Sequence, residues 1–355
     1  MSKVFVSGVK KGISDESLIS TIKKVLLDST NNLAFLKPGE TVLLKPALNS
    51  GDPFPATTHP LAIRAVAEIL EERGAKVVVG DQSGMEHVLH CEKGVVRGSS
   101  KKNYYSSGMS EAGREFVAFE EGDWEKDFLH FQSEKASSWP NGFYISRWVE
   151  KVDHIINLPR VSAHSLSGVT LGFKNFVGFL REDSRMEFHA DGPLYGLFVA
   201  LAGKKIKTDY QNSEKFIEKI SEISLAVKDK LRATLFVATK AQTTLGPDRK
   251  NAGPFKAYVA EPDTGLVFAS DNQVAVELFA ISFLMHLYKN NTPRLVKVIE
   301  DNLLFFTKRY RRFHKGKACE NDFIQSAIAL GLGSKDGNEI IWNDVTEDVR
   351  VDISF

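Results

Sequence analysis

Thr41-Val42-Leu43-Leu44, then His59-Pro60-Leu61-Ala62-Ile63-Arg64-Ala65-Val66-Ala67-Glu68-Ile69-Leu70-Glu71-Glu72, then Lys76-Val77-Val78-Val79 is the stretch that decides the fold. The first and last runs are short, β-branched and continuously apolar, as strands buried on both faces are. The middle run carries apolar residues at helical spacing. Pro60 suits the first turn of that helix, Thr58 or His59 can cap it, and Gly74 can stop it. Strand, helix and strand at this spacing make a βαβ unit, hence a parallel sheet with right-handed crossovers.

Outward from this unit the pattern repeats. Val4 to Val9 reads as a strand and Asp15 to Leu27 as a helix capped near Ser14. His154 to Leu158, Ala233 to Ala238 and Leu266 to Ser270 read as further strands. Thr170 to Leu180, Asn212 to Lys230, Asn272 to Leu287, Pro293 to Tyr310 and Asp322 to Leu330 read as helical. Residues 85–142 show little periodicity and read as an insertion or long loops, with a hairpin-like segment at Glu115 to Phe119. The expected architecture is α/β: a mostly parallel open sheet with helices on both faces and an irregular insertion. Residues 1–84 and 143–340 form the main domain, and 341–355 a C-terminal segment.

The 355 residues carry 46 basic and 45 acidic side chains, so no global field draws the chain to nucleic acid or anionic lipid. Two cysteines cannot build a disulfide scaffold or a four-cysteine cluster, and they favour a reducing cytoplasm. Met1 to Lys10 shows no apolar leader, and no apolar run is long enough to span a bilayer. Motifs GxGxxG, GxxxxGK[ST] and GxSxG are missing, which argues against standard dinucleotide, P-loop and nucleophile-elbow sites.

Polar residues cluster at the predicted strand ends, where open parallel sheets bind ligands. Lys45, Asn49, Thr57, Thr58, Asp81, Asn175 and Asp271 are the candidate ligand-binding residues, and His164, Lys174 and His59 the candidate catalytic ones. Lys45 and Lys174 suit a carboxylate or phosphate. Lys174 lies among Phe173, Phe176 and Phe179, so burial would lower its pKa and make it a base or nucleophile; an ordinary lysine with its amine in water is the alternative. His59, His164, His189 and Glu277 are the candidate ligands of a divalent metal; His87, His90 and Cys91 form a weaker local set. Arg160, Arg181 and Arg185 add positive charge. The basic run Lys308 to Lys317 could touch RNA or lipid headgroups, although a solvated linker suits the balanced chain better.

Taken in order, several of these pieces resemble the domain-of-unknown-function family 362. They are Lys45-Pro46 with Asn49, Thr57-Thr58-His59-Pro60, Gly80-Asp81, Asn157-Leu158-Pro159, His164, Thr170, Lys174-Asn175-Phe176-Val177-Gly178, His189, Asp271 to Glu277 and Gly331-Leu332-Gly333. The resemblance runs roughly from Val4 to Gly333. Where the family has Lys-Thr before the histidine, this chain has Ser162-Ala163; Ala47 and Glu277 also depart from its pattern. The resemblance implies a redox neighbourhood and an iron–sulfur or redox partner protein, while this chain has no ferredoxin-type cysteine set. The functions expected are an enzyme acting on a small anionic substrate by His/Lys chemistry, metal-assisted in one version, or a non-catalytic small-molecule or cofactor-binding accessory of a redox system. An RNA- or membrane-associated protein acting through residues 308–317 is the more distant alternative.

Overall fold

The computed structural model describes residues 2–189, 215–248, 256–303 and 311–352. Its main sheet has eight strands: β1 (Ser2–Lys10), β2 (Thr41–Pro46), β3 (Lys76–Asp81), β4 (Phe116–Ala118), β5 (His154–Leu158), β6 (Leu231–Ala238), β7 (Thr264–Ser270) and β8 (Asn338–Asn343). They lie in the order β8-β1-β7-β6-β5-β2-β3-β4. The neighbours β8/β1, β6/β5, β5/β2, β2/β3 and β3/β4 are parallel, whereas β7 runs against both β1 and β6. The sheet is therefore mostly parallel, with one reversed strand.

Alternation along the strands assigns each side chain to a face. Val42 and Leu44 of β2, with Ile156 and Leu158 of β5, pack against helices α1 (Asp15–Ser29) and α2 (Pro60–Glu71). Leu43 and Ile155 point to the other face, into a core with Phe173, Phe176, Phe179 and Phe279. Side chains of α3 (Gly172–Asn175) and α5 (Gln273–Asn291) belong to that second core, and α4 (Glu182–Phe188) lies between them in sequence. Helix α5 is buried along most of its circumference, which explains its nearly continuous apolar sequence.

The capping expectations hold at both helices. Ser14 accepts from Ser17 N at the start of α1, and His59, rather than Thr58, caps α2 by accepting from Leu61 N. Three local expectations are corrected. Glu115 to Phe119 is not a hairpin: Phe116–Ala118 forms the parallel edge strand β4, and three residues are too few to carry a readable period. Thr170 to Leu180 is not one helix but a strand end, the four-residue α3 and a 3-10 turn at Phe176–Phe179. Asn212 to Lys230 breaks at Ile223 into Phe216–Glu222 and Ser224–Val227, and residues 212–214 lie outside the described residues. Elsewhere in 85–142, Leu89–Cys91 pairs with Gly94–Arg97, and Phe128–Phe131 pairs with Phe143–Ser146. Strand β8 straddles residue 340 and joins the main sheet beside β1.

Candidate functional site

Three strand ends and one short helix converge on a buried polar knot. Lys45 of β2 lies opposite Asn157 of β5 in parallel register. Its Nζ sits 2.6 Å from Asp81 Oδ1 at the end of β3, with both side chains almost wholly buried. Lys45 Nζ also donates to Pro46 O at 2.9 Å. Asn175 of α3 donates to Asn157 Oδ1 at 2.7 Å and to Lys45 O at 3.0 Å, and Asn157 donates to Gly172 O at 3.1 Å. Asp81 accepts from Leu48 N at 2.8 Å and Gln82 N at 2.7 Å. Burial works against both charges of the ion pair, drawing Lys45 down and pushing Asp81 up, and each charge offsets part of the other's shift.

The glycines of Gly172-Phe173-Lys174-Asn175-Phe176-Val177-Gly178 follow from this packing. A Cβ on Gly178 would stand 2.0 Å from Asp81 Oδ1 and 2.9 Å from Lys45 Nζ. One on Gly172 would stand 2.7 Å from Glu277 Oε2. Glu277 reaches from α5 to accept from Gly172 N at 2.8 Å and Phe173 N at 3.4 Å, so it fixes the start of α3. Burial pushes its carboxyl up to about 8 despite those two N–H groups.

Lys174, next to Asn175 in the same helix, stands in a different environment. It is half-buried, and its amine has no hydrogen-bond or ion-pair partner among the described residues. Burial, followed by the charges of Arg160 and Arg185, lowers its pKa to about 7, against a smaller opposing pull from Asp248 and Glu86. His164 lies in the same field: burial, then Lys174, Arg160 and His189, holds its imidazole well below the usual range. Its Nδ1 accepts from Leu166 N at 3.0 Å and Ser167 N at 3.3 Å. A neutral ring with Nδ1 so engaged carries its hydrogen on Nε2 and presents a donor there. Arg160 is buried and braces the neighbouring loops through Ala56 O and Pro247 O. Arg185 donates to Ser83 O at 2.8 Å and pairs with buried Glu182 at 3.7 Å through Nη1, while its Nε and Nη1 make no hydrogen bond among the described residues. His189 Nδ1 contacts Arg185 O at 2.7 Å, and burial, then Lys174, lowers its pKa to about 3.

On the acidic side of Lys174 lie Glu86, His87 and Asp248, each offering one ligand atom, with these atoms within 4.8 Å of one another. Such a set could hold a metal ion. His87 Nε2 is hydrogen-bonded to Asp248 Oδ2 at 2.6 Å, and Asn49 Nδ2 donates to Asp248 Oδ1 at 2.5 Å. Burial alone would raise Asp248, but His87 and Arg160 outweigh it and hold the carboxyl below its usual range.

The candidates read from the sequence thus divide. Lys45, Asp81 and Asn175 meet in the knot; His164 and Lys174 share the positive field; Asn49 orients Asp248. Thr57 donates to Asp52 O at 2.9 Å, and Thr58 donates to Leu158 O while accepting from Ala47 N at 2.7 Å, so both hydroxyls brace loops. His59 caps α2 through Nδ1 and packs on Phe54 at 4.6 Å between ring centroids. Asp271 does not join the others. It follows β7, the reversed strand, so that strand's carboxyl end faces the opposite side of the sheet, where Asp271 lines a surface cavity with Lys3, Leu231 and Arg232. The ligand atoms of His59, His164, His189 and Glu277 form no converging set; Glu86, His87 and Asp248 do. Of this trio only His87 drew notice in the sequence, and nothing in the spacing of 162 positions ties Glu86 to Asp248.

Arg181 belongs elsewhere, pairing with Asp183 at 2.7 Å over the Tyr144 ring. In the basic run, residues 308–310 lie outside the described residues, while Arg311 pairs with Asp322 and Arg312 with Asp301. No helix among the described residues is long and apolar enough to cross a membrane.

Comparison with known proteins follows this geometry. Thylakoid-associated protein sll1697 of Synechocystis sp. is 27% identical over 199 residues, 54% of this chain and 57% of its own length. The chain therefore aligns with less than two thirds of that relative. Among solved structures, the lactate racemase apoprotein from Thermoanaerobacterium thermosaccharolyticum is similar with a TM-score of 0.40 and 13% identity, over 75% of this chain and 53% of that one. The model of the family described as Domain of unknown function (DUF362) matches residues 42–282. That span runs from β2 into α5 and takes in Lys45, Asp81, His164, Lys174 and Glu277, and the chain belongs to the DUF362 family.

Proposed function

We propose that this protein is an enzyme acting on a small anionic substrate that sits beside Lys174 in the field of Arg160 and Arg185. The observation that carries the reading is the Lys174 amine, which has no hydrogen-bond or ion-pair partner among the described residues and feels the charges of Arg160 and Arg185 more than those of Asp248 and Glu86. A charge taken out of water favours a partner, and Arg185, although Glu182 lies 3.7 Å from its Nη1, has N–H groups that make no hydrogen bond among the described residues. An anion supplied by a substrate would satisfy both.

Within that site His164 is better suited to donate a hydrogen bond from Nε2 to a substrate oxygen than to abstract a proton, because its Nδ1 is already engaged. Lys174, poised near neutrality, is the base or nucleophile. In a metal-assisted version Glu86, His87 and Asp248 would hold a divalent ion within electrostatic reach of Lys174. A binding protein without turnover would use the same groups.

Calorimetric titration of the full chain with small carboxylates and inorganic phosphate tests the reading. Lys174→Met should weaken the preferred anion at least about tenfold, the loss of one charge-assisted contact of about 1.4 kcal/mol or more. Equal affinity in the variant would remove Lys174 from the site. Turnover in the wild type that His164→Phe abolishes separates enzyme from binder.

A further inference from the structure

We propose that a second cavity, formed by the end of α5, the helix Arg294–Leu303 and residues 314–318, binds a small phosphate-bearing ligand. The cavity measures about 610 Å³, and His286, Tyr288, Lys289, Lys297, His314 and Lys317 line it. That volume is typical of small-molecule sites. Tyr288 stands eleven residues after Glu277 on α5, about 16 Å along the axis at about 1.5 Å per residue. The cavity is therefore well away from the start of α3 that Glu277 holds.

The lining is one-sided in charge. Three lysines and two histidines contribute to it, and no Asp or Glu does, in a chain whose overall charges balance. The acids nearby have partners of their own. Asp301 pairs with Arg312 at 3.2 Å and lies 3.8 Å from His314 Nε2; Glu300 accepts from Leu245 N at 3.1 Å; Glu320 accepts from Lys317 N at 2.9 Å. Lys297 donates to Lys289 O at 2.7 Å with one of its three N–H groups. The aromatic part of the lining is flat and uncharged. Tyr288 and His314 stack with ring centroids 4.1 Å apart and 13° between their planes. Burial, opposed by Asp301 and aided by Arg312, Lys315 and Lys297, lowers the His314 imidazole to about 4. Tyr288 Oη and His314 Nδ1 are buried and make no hydrogen bond among the described residues.

Lysine ammoniums are compact charges with donors in several directions, and they suit the many oxygens of a phosphate better than the two of a lone carboxylate. Three of them around one cavity match a group that carries close to two negative charges at neutral pH, as a phosphate monoester does. The same geometry favours a small ligand over a track for RNA along the basic run 308–317. Arg311 and Arg312 of that run are paired with Asp322 and Asp301, while His314 and Lys317 line the cavity.

The test uses the full chain, inorganic pyrophosphate and a small acylating reagent, read by peptide mapping. Pyrophosphate should slow the acylation of Lys289, Lys297 and Lys317 together and leave the exposed Lys93 unchanged. In Lys174→Met, which removes the other proposed anion site, that protection should persist. In the same Lys174→Met background, Lys289→Glu/Lys317→Glu reverses two exposed charges and should weaken pyrophosphate at least about tenfold in calorimetry. Protection of the wild-type chain is a readout that does not depend on how any variant folds. Absent protection, or protection that disappears with Lys174→Met, would overturn the proposal. Binding of single-stranded RNA or phosphatidic acid vesicles that the double reversal abolishes, without pyrophosphate protection, would overturn the small ligand in favour of a macromolecular surface.

Discussion

Lys45 and Lys174 begin from similar sequence signals and end in opposite states. Each is a lysine beside a strand end or short helix, and burial lowers the pKa of each. Lys45 is matched at 2.6 Å by Asp81 and locked by Asn175, Asn157 and the backbone. Lys174, one residue before Asn175, has no ion-pair partner among the described residues, and burial, then Arg160 and Arg185, lowers its pKa against a smaller pull from Asp248 and Glu86. The comparison teaches that a polar strand end contains two kinds of group. One kind satisfies its neighbours and fixes α3 on the sheet; the other is held by that framework without a partner among the described residues.

The sharpest way to break the comparison is to remove one member of the matched pair. Lys45→Met leaves the Asp81 carboxylate buried without its cation and should cost about 3–5 kcal/mol in chemical denaturation. The double variant Lys45→Met/Asp81→Leu should recover a substantial part of that loss. Gly178→Ala presses a methyl into the same pair and should likewise lower the denaturation midpoint.

Glu277 comes next, because it holds the helix that carries both Lys174 and Asn175. Glu277→Ala strands the Gly172 and Phe173 N–H groups and should cost about 1–3 kcal/mol. Its carboxyl titrates at about 8 when folded against an ordinary value of 4.5, so the folded chain holds this proton longer. This contribution to stability is present below the unfolded value and lost as pH rises through about 8. Glu277→Gln should flatten that slope in a series of denaturation curves.

Lys174→Met should move stability in the other direction. The folded amine titrates at about 7 against an ordinary 10.5, so its destabilising effect is full below the lower value and fades towards the higher. The variant should melt no lower than wild type at pH 6, and its advantage should shrink by pH 10, while anion binding is lost. The smallest effect expected is at the metal-competent set: His87→Ala should weaken zinc binding about tenfold or more with little change in fold stability.

The sheet was legible because its central strands are continuous apolar runs with clear turns between them, and the caps at Ser14 and His59 carried their own side-chain logic. The direction of β7 was not legible, since strand periodicity is the same for either direction; Asp271 was misplaced with it. Strand β4 is too short to show a period. That Lys45, Asp81 and Asn175 meet was legible because they sit at strand ends or in one dense motif, as His164 and Lys174 also do. Asp248 and Glu86 were missed because only the folded chain brings them together across 162 positions. The difference between the two lysines was also invisible: it depends on which charges arrive from other elements.

That difference can be measured directly by following native-state labelling of individual lysines with a small acylating reagent across pH, read by peptide mapping. Lys174 should react with a midpoint near its lowered value of about 7, while Lys45, wholly buried against Asp81, should stay unlabelled until the chain unfolds. A Lys174 midpoint near 10, or labelling as slow as that of Lys45, would contradict the account.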